Sequence, residues 1–156
     1  MGVVVYTDGS CLPNSKGWGG WGAVILFPEE DMPTVISGAK RGVTNNQMEL
    51  LAVIRALEYV PLSHESITVY TDSAYINNCL RCKWYKQWQA NGWMASTGKP
   101  VKNREYWEEL LYLATEQRHV EFHHVKGHSG DKYNELADST ARTASMEAEV
   151  NDRLSQ

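Results

Sequence analysis

No apolar run in this 156-residue chain approaches the roughly 20 residues needed to cross a bilayer as a helix. Cysteine is scarce: three residues, an odd count that excludes a closed disulfide framework and fits a reducing compartment. Cys79-Leu-Arg-Cys82 has no partner pair, so it reads as two positions one helical turn apart rather than a zinc or redox motif. No basic n-region or cleavage site precedes the first apolar run, so the expected location is the cytoplasm. Low-complexity tracts, long repeats and linkers are missing too. The hydrophobic share of 42% and charged share of 22% are those of a chain that buries a core, which excludes disorder. One domain over 1–148 is expected, with a polar tail over 149–156.

Acidic residues are missing from one long window. Between Asp72 and Glu105 the chain carries Arg81, Lys83, Lys86, Lys99, Lys102 and Arg104 and no carboxylate. These are six of the 15 basic residues, so the rest of the chain sets nine against 19 acidic ones. A local basic patch on a protein of net charge −4 fits a polyanionic partner touching one face. Chance clustering on a solvated surface is the competing reading.

What is present repeats once. Val3-Val-Val-Tyr-Thr-Asp8-Gly-Ser10 and Ile67-Thr-Val-Tyr-Thr-Asp72-Ser73 are each an apolar, β-branched run ending on Thr-Asp. Each reads as a buried strand that delivers a carboxylate at its C-terminal end. In open α/β sheets, ligand sites lie beyond those ends, so Asp8 and Asp72 are expected side by side, holding divalent metal. The plainer alternative is a pair of turn aspartates.

Around these runs, Trp18–Phe27 and Thr34–Lys40 read as strands joined by short connections, hence an antiparallel meander. Thr44 and Gln47 match a capping box. The helix after it carries a Leu50, Val53, Ile54, Leu57 stripe and ends before Pro61. Glu49 lies at its first turn, where a carboxylate also favours the helix dipole. A short helix over 73–81 follows the second Asp. Trp84 and Trp88 then share a helical face with basic residues between them, and Asn91-Gly92 ends that helix. Asn103 is expected to cap a helix bearing Trp107, Leu110, Leu111 and Ala114. His119–Val125 alternates as a fifth strand, with His119, His123 and His124 as plain strand residues. Asp131 opens a last helix with an Ala137, Ala141, Ala144, Ala148 stripe beside Asp138, and its final residues are expected to fray. The fold class is α/β: a five-stranded mixed sheet, three antiparallel strands then two parallel, flanked by helices, with a basic helical protrusion.

Tyr-Thr-Asp8-Gly-Ser, Thr-Asn-Asn-Gln-Met-Glu49-Leu, Tyr-Thr-Asp72-Ser, Lys-Pro-Val-Lys-Asn103 and Val-Lys-Gly-His128-Ser-Gly followed by Asn134-Glu-Leu-Ala-Asp138 occur in this order over nearly the whole chain. The ordered set closely resembles ribonuclease H of type 1. The resemblance implies an endonuclease that hydrolyses the RNA strand of RNA–DNA hybrids and leaves 5′-phosphate and 3′-hydroxyl ends. It implies that Asp8, Glu49, Asp72 and Asp138 form one metal site. All-oxygen ligands suit Mg²⁺, with Mn²⁺ as substitute. Two such ions roughly 3.5–4 Å apart clamp a phosphodiester in line, one orienting water and one stabilising the leaving oxygen. His128 is implied to move a proton or aid product release, consistent with an unperturbed pKa of about 6.5.

Cys11, Asn14, Asn45 and Asn46 match positions that read the 2′-OH in a shallow minor groove. Thr44 matches a DNA-phosphate contact as well as an N-cap. Trp84, Lys86 and Trp88 match the protrusion that grips the DNA strand, where helix core is the competing reading for the tryptophans. Two positions depart from the pattern. Gln89-Ala-Asn91 stands where many bacterial members are dense in Lys and Arg, which implies weaker hybrid affinity. Ala74 stands where several relatives carry glutamine, which removes one contact. The chain starts at its first strand, so no extra hybrid-binding domain is expected, and a monomer is the default. The alternatives are a same-fold nuclease or strand transferase acting on DNA, or a non-catalytic hybrid-binding module, whose expected mark is a lost carboxylate.

Overall fold

The computed structural model describes residues 2–12, 17–125 and 131–155. The elements are β1 (Val3–Cys11), β2 (Gly19–Leu26), β3 (Thr34–Lys40), α1 (Asn45–Tyr59), β4 (Ile67–Thr71), α2 (Ala74–Arg81), α3 (Trp84–Ala90), α4 (Arg104–Leu111), β5 (Val120–His124) and α5 (Lys132–Leu154), with a π-helical turn, Tyr112–Glu116, between α4 and β5. The strands lie in the order β3-β2-β1-β4-β5. β1, β2 and β3 pair antiparallel, whereas β4 runs parallel to β1 and β5 parallel to β4. This is the expected mixed sheet, and β1 sits at its centre because a helical crossover brings β4 back alongside it.

Alternation along β1 decides which helix covers which face. Val3 and Val5 are fully buried and belong to the core that α1 and α4 complete with Leu50, Ile54, Leu57, Trp107 and Leu110. Residues of the other parity, such as Tyr6, face α5: Tyr6 stacks on Tyr70 at 5.0 Å and meets Tyr133 of α5 at 5.6 Å. Small residues let α5 settle on β2. A Cβ on Gly22 would lie 2.9 Å from the Ala137 carbonyl oxygen, closer than packing permits. The buried stripe of α5 is Ala137, Ala141 and Ser145. Ala144 and Ala148 are only half-buried. The helix continues to Leu154 rather than fraying early, with Arg153 paired to Glu149 at 2.6 Å.

The capping box forms as the sequence implies: Thr44 Oγ1 accepts from Gln47 N at 3.2 Å and Gln47 Oε1 from Thr44 N at 3.1 Å. The far end of α1 is closed by a residue with no local signal. Buried Arg118 donates to the carbonyls of Leu57, Val60, Pro61 and His64 at 2.8–3.1 Å. Leu57 and Val60 lie at the C-terminal end of α1, where carbonyls lack intrahelical donors, and Pro61 and His64 follow in the next turn.

Asn103 corrects an expectation. It precedes α4 but makes no capping bond; its φ is 64°, because its side chain is drawn instead to Gln47 and Tyr75. The protrusion is anchored by aromatic packing. Trp88 lies 5.8 Å from Trp93 and 5.9 Å from the fully buried Trp107, ring centre to ring centre. Cys79 is buried in α2 while Cys82 is exposed. Burial pushes the Cys79 thiol up to about 12, so it behaves as an inert core residue.

Candidate active site

Parallel register sets the two aspartates side by side. Tyr6 pairs with Tyr70 and Thr7 with Thr71, so the next residues, Asp8 and Asp72, emerge at the same level of neighbouring strands. The turn after β4 is pinned from below. Ser73 N donates to Thr71 Oγ1 at 3.1 Å, Ser73 Oγ caps α2 by accepting from Ile76 N, and Asn77 Nδ2 donates to the carbonyls of Thr71 and Ser73, both at 3.0 Å. These bonds leave Asp72 little freedom.

Glu49 arrives from α1 because Gly9 has no side chain. A Cβ at Gly9 would collide with the α1 backbone at Met48 and Glu49. The Gly9 N–H then serves two carboxylates, donating to Asp8 Oδ1 at 2.9 Å and Glu49 Oε1 at 3.1 Å. One carboxylate oxygen from each of Asp8, Glu49 and Asp72 lies within 4.8 Å of the others, a grouping that can hold a metal ion. Asp138 joins from α5, its carboxyl within hydrogen-bonding reach of Asp8. It stands at the edge of this group and is tied by Oδ2 to Arg142 at 3.1 Å.

The electrostatics of the cluster are unfavourable as it stands. Asp8 is 5% exposed. Its burial pushes the carboxyl up to about 7; the hydrogen bond with Glu49 opposes that rise, and the charges of Asp72 and Asp138 add to it. Burial also drives Glu49 well above the usual range, reinforced by its contact with Asp8. Glu49 Oε2 is buried with no hydrogen-bond partner. Buried acceptors facing one another without a donor require protons or cations between them. A hard divalent cation bound by oxygen fits this donor set.

A shallow groove beside the carboxylates gathers three of the expected substrate positions, Cys11, Asn45 and Asn46, with Glu49, Asp72 and Tyr75. Cys11 N donates to Asn45 Oδ1 at 2.8 Å, so the amide at the α1 N-terminus is locked to the β1 end. Thr44 spends a lone pair on its cap, and its hydroxyl proton stays available. Trp84 is 39% exposed and Lys86 is exposed. Trp88 is half-buried and packed on the core, the competing reading for that residue. Asn14 and His128 lie outside the described residues. His123 and His124 are exposed strand residues, and His119 precedes β5.

Three features of the site were not among the sequence expectations, two of them because the sequence carries no signal for them. The Gly9 N–H as shared donor carries no side-chain signal. The Asn77 clamp depends on a turn geometry that sequence does not specify. Arg142, by contrast, lies four residues after Asp138 on one helix, a spacing that predicts an ion pair.

A family model described as RNase H matches residues 1–146. Ribonuclease H of Wolbachia pipientis wMel is 47% identical over 146 residues, covering 94% of this chain and 97% of that protein. Ribonuclease H of Syntrophomonas wolfei subsp. wolfei is 44% identical over 142 residues, covering 91% and 94%. Among solved structures, LC9-RNase H1, a type 1 RNase H with the type 2 active-site motif, superposes with a TM-score of 0.78 at 29% identity, covering 93% of this chain and 72% of that one.

Proposed function

Because the chain belongs to the ribonuclease H family, we propose that its acidic groove is the site at which it hydrolyses the RNA strand of RNA–DNA hybrids. One observation carries the reading: a buried, partnerless Glu49 Oε2 inside a group of three carboxylates within 4.8 Å. An arrangement that costly to leave bare is a cation cradle.

Asp8, Glu49 and Asp72 hold divalent ions, two Mg²⁺ in this proposal, and Asp138 completes the cluster from α5. When bound, such ions supply counter-charge to the phosphodiester and acidify a water for in-line attack. The protein's part is to orient and to discriminate. Asp8 and Asp72 are fixed by paired strands, and Glu49 by the Gly9 N–H, so the carboxylates need not reorganise when the cations and substrate arrive. Cys11, Asn14, Asn45 and Asn46 read 2′-hydroxyls of the RNA strand, because backbone and amide groups both donate and accept. Thr44, Lys86, Trp84 and Trp88 hold the DNA strand through phosphate and sugar. His128 moves a proton as the 5′-phosphate and 3′-hydroxyl products leave.

The four carboxylates come from one chain, so a monomer suffices. Cys11, Cys79 and Cys82 are free, which supports a cytoplasmic location. No helix of the described residues is long and apolar enough to cross a membrane. The four-carboxylate complement runs against the hybrid-binding module, and the amides at Asn45 and Asn46 against a DNA-directed nuclease or strand transferase. The test is cleavage of a matched hybrid, double-stranded RNA and duplex DNA in Mg²⁺ and then in chelator. Hybrid cleavage that chelator abolishes is expected. Binding without cleavage, or equal cleavage of duplex DNA, refutes the reading.

A further inference from the structure

A line of hydrogen bonds runs from the α1 cap to the wall of the groove, and donor chemistry fixes its direction. Gln47 Oε1 is committed to the Thr44 N–H, so the amide nitrogen is the end that donates to Asn103 Oδ1, at 3.1 Å. That bond commits Asn103 Oδ1 and leaves Asn103 Nδ2 to donate to the Tyr75 hydroxyl at 3.2 Å. Trp107 Nε1, which can only donate, reaches the same hydroxyl at 2.8 Å. Both lone pairs of the Tyr75 oxygen are therefore occupied. Its own proton has no acceptor among the described residues, and Tyr75 lines the groove with Asn45, Asn46 and Asp72. The ring is held 5.4 Å from the fully buried Trp107, so the hydroxyl is fixed in place.

We propose that Tyr75 is a substrate-binding residue whose hydroxyl donates to a non-bridging phosphate oxygen of one strand of the bound hybrid. Two incoming donors polarise the hydroxyl and strengthen it as a donor. A phosphate oxygen is an acceptor that carries charge, the stronger kind of partner. The contact adds to binding, not to bond-breaking, because Tyr75 lines the groove and is not one of the grouped carboxylates.

This assignment rests on the proposed function, and the experiment separates the two. Steady-state cleavage is measured for wild type and Tyr75→Phe on a hybrid series in which single phosphates are replaced by neutral methylphosphonates. Loss of one hydrogen bond to a charged acceptor corresponds to a KM raised about tenfold to a hundredfold with kcat within about twofold. The KM difference should vanish at one methylphosphonate position, since the partner is already gone. An unchanged KM overturns the assignment, as does a raised KM that no methylphosphonate removes, which marks a structural role. Should Tyr75→Phe fail to fold, the wild type decides: if no single methylphosphonate weakens its binding, the assignment is wrong. If the wild type cleaves no hybrid, the proposed function falls, and this assignment with it.

Discussion

Replacing Asp8 by asparagine should stabilise the metal-free protein while removing its activity. Asp8 is 5% exposed, and its carboxyl rises from the ordinary 3.8 to about 7 through burial first, then the charges of Asp72 and Asp138, with the Glu49 hydrogen bond opposing. A carboxyl raised on folding binds its proton more tightly in the native state than in the unfolded chain. Ionising it therefore costs stability, and the cost grows as pH climbs from 3.8 to about 7. That interval corresponds to about 4 kcal/mol at about 1.36 kcal/mol per pH unit. It is an upper bound, because Asp8 and Glu49 interact and the rise belongs to the pair rather than to Asp8 alone. Asparagine keeps an oxygen for the Gly9 N–H and never ionises. In urea unfolding with chelator, the variant should exceed wild type by up to about 4 kcal/mol near about pH 8, by about 2 near about pH 5.5, and by almost nothing near about pH 3.5. Adding Mg²⁺ should close the gap at high pH by stabilising the wild type. A variant less stable than wild type at about pH 8, or a gain that ignores pH, refutes the account of a charge-frustrated cluster.

Two further outcomes are expected, the first from the structure and the second from the proposed function. Arg118→Ala should cost about 3–5 kcal/mol in chemical denaturation, because it strands the buried carbonyls of Leu57 and Val60 and removes two further bonds, to Pro61 and His64; a loss below about 1 kcal/mol would mean that water replaces the guanidinium. His128→Ala should slow hybrid cleavage without abolishing it, whereas Asp8→Asn abolishes it. Equal steady-state losses for the two variants would reject that division of labour.

The parts legible in the sequence are those whose cause is local. The twin Tyr-Thr-Asp runs announce their strands because β-branched residues suit a pleated, buried surface. The Thr44–Gln47 box works across three residues and forms as read. The same locality explains Asn91, which caps α3 just before Gly92 at a φ of 77°. What could not be read depends on partners far along the chain. Asn103 looked like a cap, but Gln47, 56 positions away, claims its side chain. Trp88 is open to two readings in the sequence, and Trp107 of α4, packed against it, decides for the core. Arg118 meets its carbonyls 54 to 61 positions upstream, a distance at which no window on the sequence carries a signal. At the site, the sequence supplies all four acids, but not that Asp138 stands outside the tightest group of three and pairs with Arg142.

The cluster's cost and its usefulness have one origin. If flexible loops carried Asp8 and Asp72, repulsion would separate them and no cation would find a ready site. Here the carboxylates cannot retreat. Parallel pairing of Thr7 with Thr71 fixes two of them, and the close approach of α1 over Gly9 fixes the third. The Gly9 N–H helps Asp8 and Glu49, but one shared neutral donor offsets about 1 kcal/mol against a penalty of about 4 at high pH. Repulsion wins locally and packing wins globally, because the core around Trp107, Ile54 and Leu57 resists opening. The unspent repulsion then becomes affinity: a cation that enters gains the attraction of each carboxylate and relieves their mutual cost at once. Rigidity therefore turns an electrostatic liability into a binding site, and the strand pairing contributes to the chemistry as directly as the acids do.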